Sequence, residues 1–299
     1  MQRAVCWMSR PLGTGVLPRT TIGRSKLVCR AVGLSAAFFQ VSAGAFASAS
    51  PLHAESSCTN AGGLPKKAIV FGGTSGIGLA TSIRLRDRGI DVLALSRSGS
   101  PNLDLAQDVE GIKFAKCDVT DREAIAQVFR DHGTVDVLIS AATGGERALG
   151  PFLEMDMDAY QRSFAKLWGY ANVVRIGGHH VRQGGSIVLV SGAPARRPRP
   201  GQVALASVGA SVEQLVRAVA PELAVKEIRI NVVSPGIIST PMFGSAEGRD
   251  DRLAQMTQTN LIPRPGTADE VAGAIMFAVE NNFITGTTID VDGGWLSRL

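Results

Sequence analysis

Ala68-Ile69-Val70-Phe71-Gly72-Gly73-Thr74-Ser75-Gly76-Ile77-Gly78 passes from four apolar residues through a glycine-rich turn into an amphipathic stretch. Four consecutive apolar side chains suit a strand buried on both faces. Gly72 permits a tight turn, Gly76 lets the backbone approach a pyrophosphate, and Gly78 lets a helix pack on the sheet. The loop N–H groups, those of Thr74, Ser75 and Ile77 included, are then available to phosphate oxygens. A glycine triplet alone says little, but its place after the first buried strand selects a dinucleotide site over a purely structural turn.

A dinucleotide site that takes NAD(H) places a carboxylate about 20 residues further on, at the end of the second strand, to receive the ribose 2′-hydroxyl. This chain has Ser96-Arg97-Ser98 there. Arg97 offers charge-assisted bonds to a 2′-phosphate and the serines add donors, so the pattern favours NADP(H). The alternative for Arg97 is a solvated surface residue.

Outward from this segment, short Val/Ile/Leu/Ala runs alternate with longer amphipathic stretches. Strands are predicted at Ala68 to Phe71, Asp91 to Leu95, Ile112 to Cys117, Val135 to Ala141, Ser186 to Ser191, Arg229 to Val233 and Thr288 to Val291. Helices fit between them at Gly76 to Arg88, Asp121 to Asp131, Asp156 to Arg182, Gln202 to Ala224, Asp250 to Asn260 and Ala268 to Glu280. The pattern is α/β: one doubly wound, Rossmann-type domain over residues 65–299, a seven-stranded parallel sheet with helices on both faces.

The chain has 299 residues and a formal charge of +5. Six of its 31 basic residues (Arg3, Arg10, Arg19, Arg24, Lys26, Arg30) precede any acid, which leaves 25 basic against 26 acidic residues. The excess charge therefore belongs to the N-terminal segment, and no nucleic-acid partner is expected of the domain. Residues 1–64 read as a targeting leader to a plastid or mitochondrion, or else as an over-called start, with a cytoplasmic protein as the consequence. The uncharged run Ala31 to Ser50 is too rich in Ser, Gly and Ala for a stable membrane span. Cys6, Cys29, Cys58 and Cys117 show no C-x-x-C spacing, and His179-His180 has no companion ligands, so no metal site is expected. The histidine pair reads as positive charge at a helix C-terminus.

From about Lys66 onward the sequence resembles the short-chain dehydrogenase/reductase family. Gly72 to Gly78 resembles its cofactor loop, and Cys117-Asp118-Val119-Thr120 the segment whose aspartate meets the adenine. Asn231 to Thr240, with Pro235, Gly236, Ile238 and Thr240, resembles the stretch that holds the nicotinamide amide, and Ile284 to Gly294 the terminal strand. Ser140-Ala141-Ala142-Thr143 occupies the place of the family's Asn-Asn-Ala-Gly, with Ala141 beside the cofactor. The resemblance also implies a homodimer or homotetramer through the helices at Asp156 to Arg182 and Gln202 to Ala224.

The departures bear on catalysis. The family's tyrosine and lysine align with Leu205 and Gly209, its serine with Gly192, and its asparagine with Lys166. The residues four beyond Tyr160 and Tyr170 are Phe164 and Val174, so no shifted Tyr-x-x-x-Lys exists. One reading is a nucleotide-binding or regulatory pseudoenzyme, since carbonyl reduction needs a proton donor beside the hydride acceptor. The other is an oxidoreductase with a rebuilt site acting on a small carbonyl, enone or imine substrate. In that reading Lys166 projects into the space Gly209 vacates, Ser191 supplies a hydroxyl, and Lys166 on a solvated helix face is the alternative. The run Arg196-Arg197-Pro198-Arg199-Pro200 lies where it could draw an anionic substrate, and Met242 to Arg249 reads as a lid.

Overall fold

Alternate residues of the first strand feed two separate cores, and that alternation sets the architecture. The computed structural model describes residues 65–102, 108–143, 145–244 and 247–297. Residues 1–64, with Cys6, Cys29 and Cys58, lie outside the described residues. Strand β1 (Lys67–Phe71) sends Ile69 and Phe71 to one face of the sheet, Ala68 and Val70 to the other. All four are fully buried, and burial of each large side chain contributes about 1.5–3 kcal/mol.

Helix α1 (Gly76–Asp87) returns to β2 (Asp91–Ser96), and the chain continues through β3 (Lys113–Lys116), α2 (Arg122–His132) and β4 (Val135–Ser140). The second half comprises α3 (Met157–Ser163), α4 (Ala165–Gly177), β5 (Val181–Val190), α5 (Val203–Ala224) and β6 (Arg229–Pro235). A short β7 (Ile238–Ser239), α6 (Arg249–Thr257), β8 (Gly266–Thr267), α7 (Ala268–Glu280) and β9 (Thr288–Val291) complete it. The seven-stranded sheet has the order β3-β2-β1-β4-β5-β6-β9 and every pairing is parallel. One core lies with α2, α4 and α5, where Val173, Val212 and Val216 meet Ile187 and Ile230; the other holds Leu85 of α1 and Ile275 of α7. Among the described residues α5 alone is long and apolar enough to cross a membrane, yet its Val212, Val216 and Ala220 sit in the first core.

Two expectations need correction. The helix predicted over Asp156 to Arg182 is two helices and the start of a strand. Phe164 (φ −73°, ψ −8°) closes α3 and opens α4, so the helical periodicity runs on through the break. The chain leaves α4 at Gly178, and Val181 and Arg182 already belong to β5, where Val181 pairs with Val135 ahead of an irregularity in the register. His179-His180 consequently follows the helix instead of ending it: His180 stacks on Phe129 at 4.8 Å, and His179 Nε2 meets Arg175 at 2.7 Å. The β7–β8 pair was not anticipated; two residues per strand give no sequence pattern.

Candidate active site

The strand order reverses direction between β1 and β4, and in such sheets ligands bind beyond the carboxyl ends of the strands at that point. A groove of about 320 Å³ opens there. Its walls include Gly72, Thr74, Ser75, Gly76, Ile77 and Gly78 from the first loop, Ser96 and Arg97 after β2, Asp118 and Val119 after β3, Ala141 after β4, and Thr240. The glycines are required by contact. A Cβ on Gly78 would stand 2.0 Å from the Gly72 carbonyl oxygen, and Gly72 itself (φ +76°) would press a Cβ against the Ala142 nitrogen at 2.6 Å. Helix α1 begins at Ser75 without a side-chain cap, so its first turn presents N–H groups and the positive end of the helix dipole to the groove.

At the other end of the groove, Ser98 lies outside the wall but joins Ser96 hydroxyl to hydroxyl at 3.0 Å. The backbone N–H and hydroxyl of Thr120 both donate to Asp118 Oδ1 at 2.8 Å; these bonds and the nearby Arg97 hold the Asp118 carboxyl below the usual range. Val119 is fixed from α4, where Asn172 donates to its carbonyl at 3.1 Å. An uncapped helix end, glycine walls and a cationic far end suit a phosphorylated dinucleotide.

A second cleft of about 350 Å³ shares Ile77, Ala141, Thr143, Thr240 and Met242 with the first. Pro235, Gly236 and Ile238 lie in its wall, as do Leu205 and Gly209. Lys166 and Ser191 reach it too. Lys166 is turned inward from α4, and its Nζ donates to the Ser191 carbonyl at 3.2 Å. Burial, with a smaller contribution from Arg147, pulls its ammonium down to about 8. Ala195 packs close beside Gly209, where a Cβ would lie 2.9 Å from the Ala195 Cβ. Ser191 is also redirected: its hydroxyl donates to Glu213 Oε1 at 3.1 Å, and that buried carboxylate pairs with Arg196 at 3.3 Å.

Tyr170 stands one helical turn beyond Lys166 in the same wall, its ring 5.5 Å from the ammonium. A search for Tyr-x-x-x-Lys misses this reversed Lys-x-x-x-Tyr. The phenol is no proton donor to a ligand, since it donates to the Val190 carbonyl at 3.0 Å and burial pushes its pKa far above the ordinary value. Tyr170 instead clamps α4 to the end of β5.

The arginines of the basic run after β5 are tied to neighbouring elements. Arg196 pairs with Asp290 and Glu213, Arg197 donates to the Leu296 carbonyl, and Arg199 donates to the Met256 carbonyl while lying 3.9 Å over the Trp295 ring. Trp295, 1% exposed, donates its indole N–H to the Arg197 carbonyl at 2.9 Å and closes one side of the cleft. The sequence reading missed Trp295 and Arg147, both cleft-lining. The predicted lid is a turn of 3₁₀ helix at Pro241–Phe243 and the start of α6, and residues 245 and 246 lie outside the described residues.

A family model described as enoyl-(acyl carrier protein) reductase matches residues 72–296. The chain is 34% identical over 246 residues to the 3-oxoacyl-(acyl-carrier-protein) reductase FabG of Thermotoga maritima, covering 77% of this chain and 97% of the relative. It is 30% identical over 242 residues to L-xylulose reductase of Mus musculus, with 78% and 97% covered. Among solved structures, a small-chain dehydrogenase in complex with NADPH superimposes with a TM-score of 0.66 at 28% identity, covering 77% of this chain and 97% of its own. A short chain oxidoreductase from Pseudomonas aeruginosa PAO1 containing an atypical catalytic center gives 0.68 at 27% identity, with 78% and 98% covered.

Proposed function

The chain belongs to the short-chain dehydrogenase/reductase family, and from that premise we propose that it is an NADP(H)-dependent oxidoreductase of a small carbonyl, enone or imine compound, with Lys166 as its proton donor. One observation carries the reading: the nucleotide groove and the Lys166 cleft share five wall residues, so a ring at the inner end of the first faces the second. The cleft also stands open beside Leu205, which a nucleotide-binding pseudoenzyme could have packed shut.

The uncapped start of α1 and the glycine loop would hold the pyrophosphate, Arg97 and the Ser96–Ser98 pair would receive the 2′-phosphate, and Asp118 and Val119 would bind at the adenine end. NADPH, when bound, supplies the hydride. The chain's own work is to exclude water, orient the substrate and deliver a proton. Lys166 is suited to that last task because its ammonium titrates near neutrality, where a general acid is most effective. As the substrate carbon is reduced, Nζ gives its proton to the substrate oxygen, and water at the cleft mouth restores it. Tyr170 and the Ser191 carbonyl fix Lys166 in place. Two NADPH complexes among the similar structures support the cofactor choice. Assembly through α4 and α5 is part of the same proposal, supported by Trp168, which projects from α4 with 62% of its surface exposed.

The test is titration of the protein with NADPH and NADH, followed by NADPH oxidation with a panel of carbonyl, enone and imine compounds. Preferential NADPH binding with oxidation by one class is the expected result. Binding without turnover across the panel would move the assignment to a pseudoenzyme, and absence of binding would overturn the groove.

A further inference from the structure

We propose that Arg147 is a substrate-recognition residue, and that the cleft takes a carbonyl compound bearing a carboxylate on an otherwise apolar body. This deepens the hydride-transfer reading and rests on it. Arg147 lines the cleft together with Lys166. Among the described residues no carboxylate pairs with it. Its neighbour Glu146 is taken by Arg162 at 2.6 Å, and the Arg147 guanidinium donates to the Met242 thioether, a weak acceptor. Arg147 keeps part of its surface open to water, yet partial burial holds its pKa below arginine's usual value.

The surroundings sharpen the point. Leu149, Leu205, Val208, Phe243 and Met256 make much of the remaining wall apolar. Two cations therefore share one apolar cleft, and Arg147 is close enough to depress the Lys166 ammonium. Like charges in such a medium disfavour one another, and a bound anion relieves both the repulsion and the desolvation. None of the arginines of the run at Arg196 to Arg199 lines the cleft, and they are engaged with Asp290, Glu213, Leu296 and Met256.

The charge balance selects the headgroup. With Glu146 neutralised by Arg162 and Lys166 surrendering its proton in the reaction, Arg147 is the one permanent uncompensated charge lining the cleft among the described residues. A single guanidinium matches a monoanion and accepts a carboxylate in bidentate fashion. A phosphate dianion would leave net negative charge in the apolar cleft.

The full chain is first titrated with NADPH, and then, saturated with NADP⁺, by calorimetry with phenylpropanoate, phenylpropanamide and phenylpropyl phosphate. The acid is expected to bind about tenfold or more tightly than the amide, the difference one charge-assisted contact makes. In Arg147→Met the acid-to-amide ratio falls to about one, while NADPH affinity, which reports that the variant is folded, is retained. Equal binding of acid and amide, binding of neither, tighter binding of the phosphate, or an acid preference that survives Arg147→Met would each overturn the proposal. Absence of NADPH binding is a different failure, since it removes the hydride-transfer reading beneath it.

Discussion

Replacing Lys166 by methionine is expected to stabilise the fold and to abolish turnover. The side chain keeps its length and loses its charge. In the folded chain the ammonium titrates at about 8, against 10.5 for an unperturbed lysine. Between those values the unfolded chain binds more protons than the folded one, so stability rises with pH across that window; below both, the charged Lys166 costs the fold in full. At about 1.4 kcal/mol per pH unit that cost is ~3 kcal/mol. Loss of the bond to the Ser191 carbonyl offsets about 1 kcal/mol of it, which leaves a gain of ~2 kcal/mol near neutrality that vanishes above pH 10.5. Urea unfolding, followed by fluorescence of the buried Trp295 at a series of pH values, measures the difference. NADPH oxidation by wild type should fall as pH rises through about 8, and the variant should show no oxidation at any pH. A Lys166→Met protein that is less stable by the same amount at every pH, or one that retains wild-type turnover, would refute the reasoning.

Arg97→Ala should weaken NADPH about tenfold to a hundredfold and leave NADH nearly unchanged, since only the 2′-phosphate loses a charge-assisted partner; competitive titration of the two nucleotides reads the ratio. Gly78→Ala puts a methyl 2.0 Å from the Gly72 carbonyl oxygen, against backbone that cannot give way. It should cost about 3 kcal/mol or more by urea unfolding and eliminate NADPH binding. Glu213→Ala leaves the Ser191 hydroxyl without its acceptor and Arg196 with Asp290 alone; unfolding should show a loss of about 3 kcal/mol.

The parallel sheet was legible because its central strands carry short apolar runs, such as Ala68 to Phe71 and Ile187 to Val190, that are buried on both faces. The groove was legible because Gly72 and Gly78 answer backbone contacts that no other residue tolerates. Legibility failed where a tertiary contact decides. Phe164 keeps helical angles across the break between α3 and α4, so no breaker marks it. β5 begins at Val181, but Arg182 to Gly184 are exposed and hide the strand behind a polar stretch. Lys166 was found from its position in the sequence, whereas the bond its ammonium makes to the Ser191 carbonyl is a tertiary contact that no local pattern marks. Arg147 sits in a loop without periodicity, and only the cleft reveals that its charge is unmatched.

The place of Trp295 has a consequence for the order in which the site is made. The groove that receives the nucleotide draws its walls from residues between Gly72 and Met242, all synthesised before α6. The second cleft waits for Trp295 and the arginine contacts that seat it. At about 5–20 residues per second, translation separates those two points by roughly 3–10 s. On the ribosome, then, every residue that meets the nucleotide exists before the last residue that shapes the chamber for its reaction partner.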